Sequence, residues 1–134
     1  MKKLSLLLAG LVFSGLASAV EITAPSGRVL MTDCELLNED VTINLTTGVV
    51  AGVACNDAQI VMSACHTAGR LTSRSADVTT CTDPNDNTTC TTAPQSVSGP
   101  AMPTASTLRG TVTSEYPEGS CSAGDAEDFA SSRL

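Results

Sequence analysis

The stretch Val41-Thr42-Ile43-Asn44-Leu45-Thr46-Thr47-Gly48-Val49-Val50-Ala51-Gly52-Val53-Ala54-Cys55-Asn56-Asp57-Ala58-Gln59-Ile60-Val61-Met62-Ser63-Ala64-Cys65 decides the fold. Residues Val41–Leu45 alternate apolar and polar, the two-residue period of a half-buried strand. Val49 to Ala54 is small and apolar throughout, which predicts a central strand covered on both faces. Ile60, Met62 and Ala64 then share one face of a third strand, with Gln59, Val61 and Ser63 on the other. A helix over residues 49–65 is disfavoured, because Val49, Val50, Val53, Ile60 and Val61 lose side-chain freedom in a helix and Gly48 and Gly52 weaken it. The fold class read from this stretch is mainly β: a small single-domain antiparallel meander or sandwich.

Turn chemistry sets the order of these strands. Thr46-Thr47-Gly48 joins the first to the second, and Asn56-Asp57-Ala58 joins the second to the third. Upstream, Arg28–Thr32 is a candidate first strand, with room for one brief helical turn near Cys34–Asn38. Downstream, Ala68-Gly69 turns the chain before Leu71. Residues 91–107 hold three prolines and a glycine among Ser, Thr and Ala, and read as a flexible loop or linker. Leu108–Tyr116 alternates again and predicts a last strand. The acidic tail, 125–134, reads as frayed, with at most a helical turn around Phe129. No repeat at solenoid periods is present.

The N-terminus carries a different signal. Lys2 and Lys3 precede an apolar run from Leu4 to Leu16, and Ala17-Ser18-Ala19 is a small-residue cleavage site. The run of roughly 13 residues is too short to span a bilayer as a helix, which needs about 20. Residues 1–19 therefore read as a cleavable secretory signal peptide of bacterial style, and residues 20–134 as the mature domain. The expected location is the periplasm, the cell surface or the medium. Without nineteen of its 134 residues the chain keeps 115, with no lysine. Arg28, Arg70, Arg74, Arg109 and Arg133 face fourteen acidic residues, a mature net charge of −9. Such a surface repels phosphate backbones and anionic lipid heads, which argues against nucleic-acid and membrane-surface partners. Only Tyr116 and Phe129 are aromatic after residue 19, so the core must be aliphatic and thin.

Six cysteines compensate: Cys34, Cys55, Cys65, Cys81, Cys90 and Cys121. An even number in a small exported chain reads as three disulfides. Zinc is disfavoured because no C-x₂₋₄-C pair exists, and C-x-x-C redox and haem motifs are absent too. Cys81 and Cys90 flank Thr82-Asp83-Pro84-Asn85-Asp86-Asn87-Thr88-Thr89, a turn between Thr-rich arms. A bridge there closes a loop worth roughly 2.7 kcal/mol in the chain-entropy model. In the hairpin of the opening stretch, Cys55 sits at the turn and Cys65 at the far end, roughly 20 Å away at about 3.3 Å per residue. A disulfide needs Cα atoms within about 7 Å, so these two do not pair. If Val41–Leu45 pairs with Val49–Val53, Cys34 falls near Cys55. The expected bridges are thus Cys81–Cys90, Cys34–Cys55 and Cys65–Cys121.

The chemistry of enzymes is thinly represented. His66 is the only histidine, there is no G-x-S-x-G elbow, and the cysteines are expected to be oxidised. The adjacent acids Glu39-Asp40 and Glu127-Asp128 would point to opposite faces of a strand. No catalytic residue and no organic cofactor is expected. Asp83, Asn85, Asp86 and Asn87 gather hard oxygen donors of the kind Ca²⁺ takes, without the spacing of an EF-hand loop. Asn44-Leu45-Thr46 and Asn87-Thr88-Thr89 fit the glycosylation sequon, which matters only in a eukaryotic secretory route. The expected function is non-enzymatic: a binding or structural protein acting through a protein partner or through self-association. Two other classes remain open, a small periplasmic inhibitor or accessory factor and a Ca²⁺-dependent adhesive module.

Overall fold

A computed structural model describes residues 17–82, 88 and 90–134, with Cys81 as backbone only. The elements run β1 (Ser18–Thr23), β2 (Ser26–Val29), β3 (Val41–Asn44), β4 (Val49–Cys55), β5 (Ile60–His66), β6 (Leu71–Cys81), β7 (Cys90–Pro100), β8 (Met102–Ser106), β9 (Thr111–Glu115) and α1 (Ala123–Ser131). The chain is mainly β and antiparallel. One open sheet has the order β1-β4-β5-β8-β9, while β2-β3 and β6-β7 are two-stranded sheets of their own.

The strand that the sequence marks as covered on both faces, β4, lies inside the sheet between β1 and β5. Ala51 to Cys55 are buried without a break, because β4 is covered on both sides. Ala51, Val53 and Cys55 face one layer with Ile22, Val29 and Cys34, joined at its margin by Ile43, Ile60, Met62 and Ala64. Gly52 and Ala54 face the other layer, α1. There Ala54, Val61 and Ala130 form a second cluster with Leu134. The molecule is therefore three layers deep: the β2–β3 ribbon, the five-stranded sheet and one helix. The turn Asn56–Gln59 is closed by the Asn56 side chain, which accepts from the amides of Ala58 and Gln59, both at 2.9 Å.

Helix α1 is short, nine residues, and leans on capping and small side chains. The Ser122 hydroxyl accepts from the Asp125 amide at 3.0 Å and donates to the Asp125 carboxylate at 2.7 Å, so two otherwise unpaired groups satisfy each other. Ala123, Ala126 and Ala130 face the sheet, and the buried Ser63 hydroxyl donates to the Ala126 carbonyl. Alanines let the helix axis approach closely, at the expense of buried area.

Several expectations need correction. Val41–Asn44 is a strand, but it pairs with β2 and not with Val49–Val53. The turn does form, with the Val49 amide donating to the Thr46 carbonyl, yet it carries the chain from the ribbon into the main sheet. The first strand is Ser18–Thr23, paired with β4, and the next lies at Ser26–Val29, ahead of the expected Arg28–Thr32. Residues 34–38 form turns, without a helix. The segment 91–107 is ordered as most of β7 and all of β8, not a loop. The tail beyond 125 belongs to α1, which ends in a turn.

Two disulfides, not three, are described: Cys34–Cys55 with Cα atoms 5.5 Å apart, and Cys65–Cys121 with Cα atoms 5.9 Å apart. The first ties the β2–β3 layer to β4, and the second ties the start of α1 to β5. Both are pairs expected from the sequence, the first argued from a hairpin that does not form and the second left as the remaining pair. Cys90 is also disulfide-bonded, and the Cys81 backbone lies opposite it in the β6–β7 ladder. The Cys81 side chain lies outside the described residues. No helix among the described residues is long and apolar enough to cross a membrane.

Candidate interaction surface

The residues that sequence reasoning offered for chemistry are dispersed. Asp83, Asn85, Asp86 and Asn87, the proposed calcium ligands, lie outside the described residues. No group of three or more His, Cys, Asp or Glu side chains gathers to hold a metal among the described residues. His66 sits at the exposed end of β5, where its Nδ1 accepts from the Ala68 amide at 3.1 Å. Gly48, with φ of +83°, packs so closely that a Cβ there would stand 2.7 Å from His66 Nε2. The imidazole is a turn residue packed on a glycine. Asp40 is held by Arg28 at 2.7 Å and by the Met31 amide at 2.8 Å, a brace for the β2–β3 ribbon. Asp125 is drawn below the ordinary carboxylate value by hydrogen bonds from Ser122 and then Ser120, as a helix cap should be.

A small cleft lies where β5, β8 and β9 meet the chain end after α1. Val61, Thr104, Ser106, Thr111, Thr113 and Glu115 line it, together with Arg109 and Arg133. Its enclosed volume of about 20 Å³ has room for roughly one water molecule. Arg133 pairs with Glu115 and lies over the Phe129 ring, 4.7 Å from its centroid. That arrangement ties the end of the helix to β9.

The largest unexplained feature is the β6–β7 hairpin. Eleven residue pairs run from Leu71 opposite Pro100 to Cys81 opposite Cys90. At about 3.3 Å per residue the arm is more than 30 Å long, comparable to the width of a small domain. Neither strand joins another sheet, and six consecutive residues of β7, Thr91–Ser96, are exposed. Its two faces differ. Ser73 and Ser96 share a hydrogen bond of 2.8 Å, and Thr79 and Thr92 one of 2.7 Å, on the face that also carries Asp77. The opposite face carries Arg74, Ala76 and Val78 with Ala93, Gln95 and Val97 opposite them.

The base of the arm is fixed to the body. A Cβ on Gly99 would fall 1.6 Å from the Pro117 carbonyl oxygen, so only glycine permits this approach. The Gly119 amide donates to the Ser98 carbonyl at 3.3 Å. The Arg74 guanidinium lies 6.0 Å from the Tyr116 ring centroid. An isolated two-stranded ribbon in water is marginal, and among the described residues neither β6 nor β7 pairs with a further strand. Sequence reasoning found the turn and the Thr-rich arms but not their length. The signal was the run Leu71–Cys81, free of proline and glycine and rich in Thr and Ser. No protein-family model, curated protein or solved structure matches this chain.

Proposed function

We propose that this chain is an exported, non-enzymatic binding or structural protein that works by strand pairing along its β6–β7 arm. The observation that carries the reading is the arm itself, eleven pairs long and outside the main sheet on both edges. Exposed edges are normally shortened, covered or blunted with lysine, and the mature sequence contains no lysine at all. A long free edge is the device by which strand-addition partners bind, main-chain hydrogen bonds giving affinity and alternate side chains giving choice. Cleavage after Ala19 removes two of the six residues of β1 and leaves Val20–Thr23 paired with β4. Export and a disulfide-tied body suit a surface-exposed or periplasmic site of action.

Photo-crosslinking in the native envelope fraction tests this reading. A photoreactive residue at exposed Asp77 or Thr79 should capture a protein in high yield, whereas the same residue at exposed Val112 on β9 should not. Equal capture at both places, or none at either, would contradict it. Two companion measurements separate the other classes. An inhibitor would abolish the activity of a captured enzyme, and a calcium module would melt at a higher temperature with Ca²⁺ than without it.

A further inference from the structure

The arm has two outer edges, and they are not equivalent. β7 carries Pro94 at its middle, a residue without an amide hydrogen to donate. β6 carries no proline, glycine or lysine from Leu71 to Cys81, so every residue keeps a backbone donor, and among the described residues no strand other than β7 pairs with it. The other free edges are shorter: six residues at β1 and five at β9. β6 is the longest uninterrupted edge among the described residues.

Resting on the strand-pairing reading above, we infer that the partner strand is β6 of a second copy of this chain, paired antiparallel about a two-fold axis at Ala76. Symmetry supports this register. A two-fold axis perpendicular to a sheet brings together residues that point to the same face, so paired positions must share parity. End-to-end overlap of Leu71–Cys81 with itself satisfies that rule and places Ala76 opposite its own copy. The side chains then agree along the whole strand. Arg74 faces Val78 and Asp77 faces Ser75, so neither of the two charges meets its like. Ser73 faces Thr79, which joins the Ser73–Ser96 and Thr79–Thr92 hydroxyl pairs of the two copies into one continuous row. The small methyl of Ala76 permits close approach at the axis. A shift by two residues that centred Asp77 on the axis would oppose two carboxylates, which is destabilising. The product is a four-stranded sheet, β7-β6-β6-β7, whose outer edges each carry Pro94. Proline at those edges stops further addition, so the assembly closes at two copies.

Light scattering on the purified mature protein, coupled to size exclusion over a range of concentrations, tests the inference by charge exchange. Wild type should be a dimer that dissociates on dilution. Ala76→Lys and Ala76→Glu should each be monomeric at concentrations where wild type is dimeric, because each opposes like charges at the axis. An equal mixture of the two should recover the dimer, which also shows that both variants fold. Ser75→Lys should keep the dimer, since its side chain faces Asp77 of the other copy. A wild type monomeric at every concentration overturns the inference, as does an Ala76→Lys dimer as stable as wild type. If such a monomer still captures an envelope protein through Asp77 or Thr79, the strand-pairing reading survives and only the second copy is wrong. If it captures nothing, both fall.

Discussion

Gly52 lies directly beneath Glu127: a Cβ built on the glycine would stand 2.2 Å from the Glu127 Cα and backbone nitrogen. The helix therefore rests on β4 main chain to main chain, with no side chain between them. This contact explains how a chain almost without aromatics assembles a core. The helix comes close because Gly52, Ala54, Ala126 and Ala130 are small, and the bridge and caps hold it there. Gly52→Ala should lower the unfolding free energy by about 1–3 kcal/mol, the usual loss on overpacking. Urea unfolding followed by circular dichroism measures it, and a neutral substitution would mean that the helix is not seated as described.

The buried Ser63 hydroxyl offers a second check on the same interface. Ser63→Ala leaves the Ala126 carbonyl with a lost partner in a buried place, which should cost about 1–3 kcal/mol. Ser106→Ala removes a hydrogen bond to the Gln59 side chain and should cost less, since Ser106 is only half-buried. Equal losses in the two variants would argue against a tight seat for α1 over β5.

The N-cap links stability to pH. Asp125 has its pKa lowered in the folded state, so its contribution is complete above the ordinary carboxylate value and fades as pH falls through the lowered one. Ser122→Ala should cost about 0.5–2 kcal/mol near neutral pH, as loss of a cap usually does. The difference between wild type and variant should shrink below about pH 4, where the unfolded-state carboxyl protonates first. A gap that widens on acidification would reverse the assigned direction.

The two described disulfides should differ in weight. Chain entropy gives about 3 kcal/mol for Cys34–Cys55, which closes a separation of 21 residues, and about 4 kcal/mol for Cys65–Cys121, which closes 56. The Cys65→Ala, Cys121→Ala double variant should therefore melt lower than the Cys34→Ala, Cys55→Ala variant. It should also lose helical signal first, because Cys121 immediately precedes the cap of α1.

How far the sequence revealed this architecture depends on what each residue type can signal. Val49–Cys55 was legible as a doubly covered strand because an unbroken apolar run has few other uses. The faces of β5 were legible because Ile60, Met62 and Ala64 alternate strictly with Gln59, Val61 and Ser63. By contrast, Pro94, Pro100 and Pro103 read as a loop, and each proves tolerable in a strand. Pro94 lies on a two-stranded arm, Pro100 ends β7, and Pro103 lies beyond the ladder that joins Thr104–Ser106 to β5. The first strand was hidden because Ser18 and Ala19 also spell a cleavage site. Helix α1 was missed because Ala123, Ala126 and Ala130, spaced for one helical face, bury too little area to register as core. The arm escaped because hydroxyl-bearing residues mark loops as often as exposed strands. Pairing partners such as β2 with β3 depend on how layers stack, which no local pattern encodes.

Amide hydrogen exchange on the mature protein, read residue by residue at low and high concentration, tests the role of the arm most directly. If strand pairing along β6 is the working contact, protection should rise with concentration at alternate amides of Leu71–Cys81 and nowhere else on the sheet edges. Amides at the outer edge of β9 and on both sides of Pro94 should exchange at the same rate throughout. Protection gained along β9 or on the surface of α1, with β6 unchanged, would contradict the account.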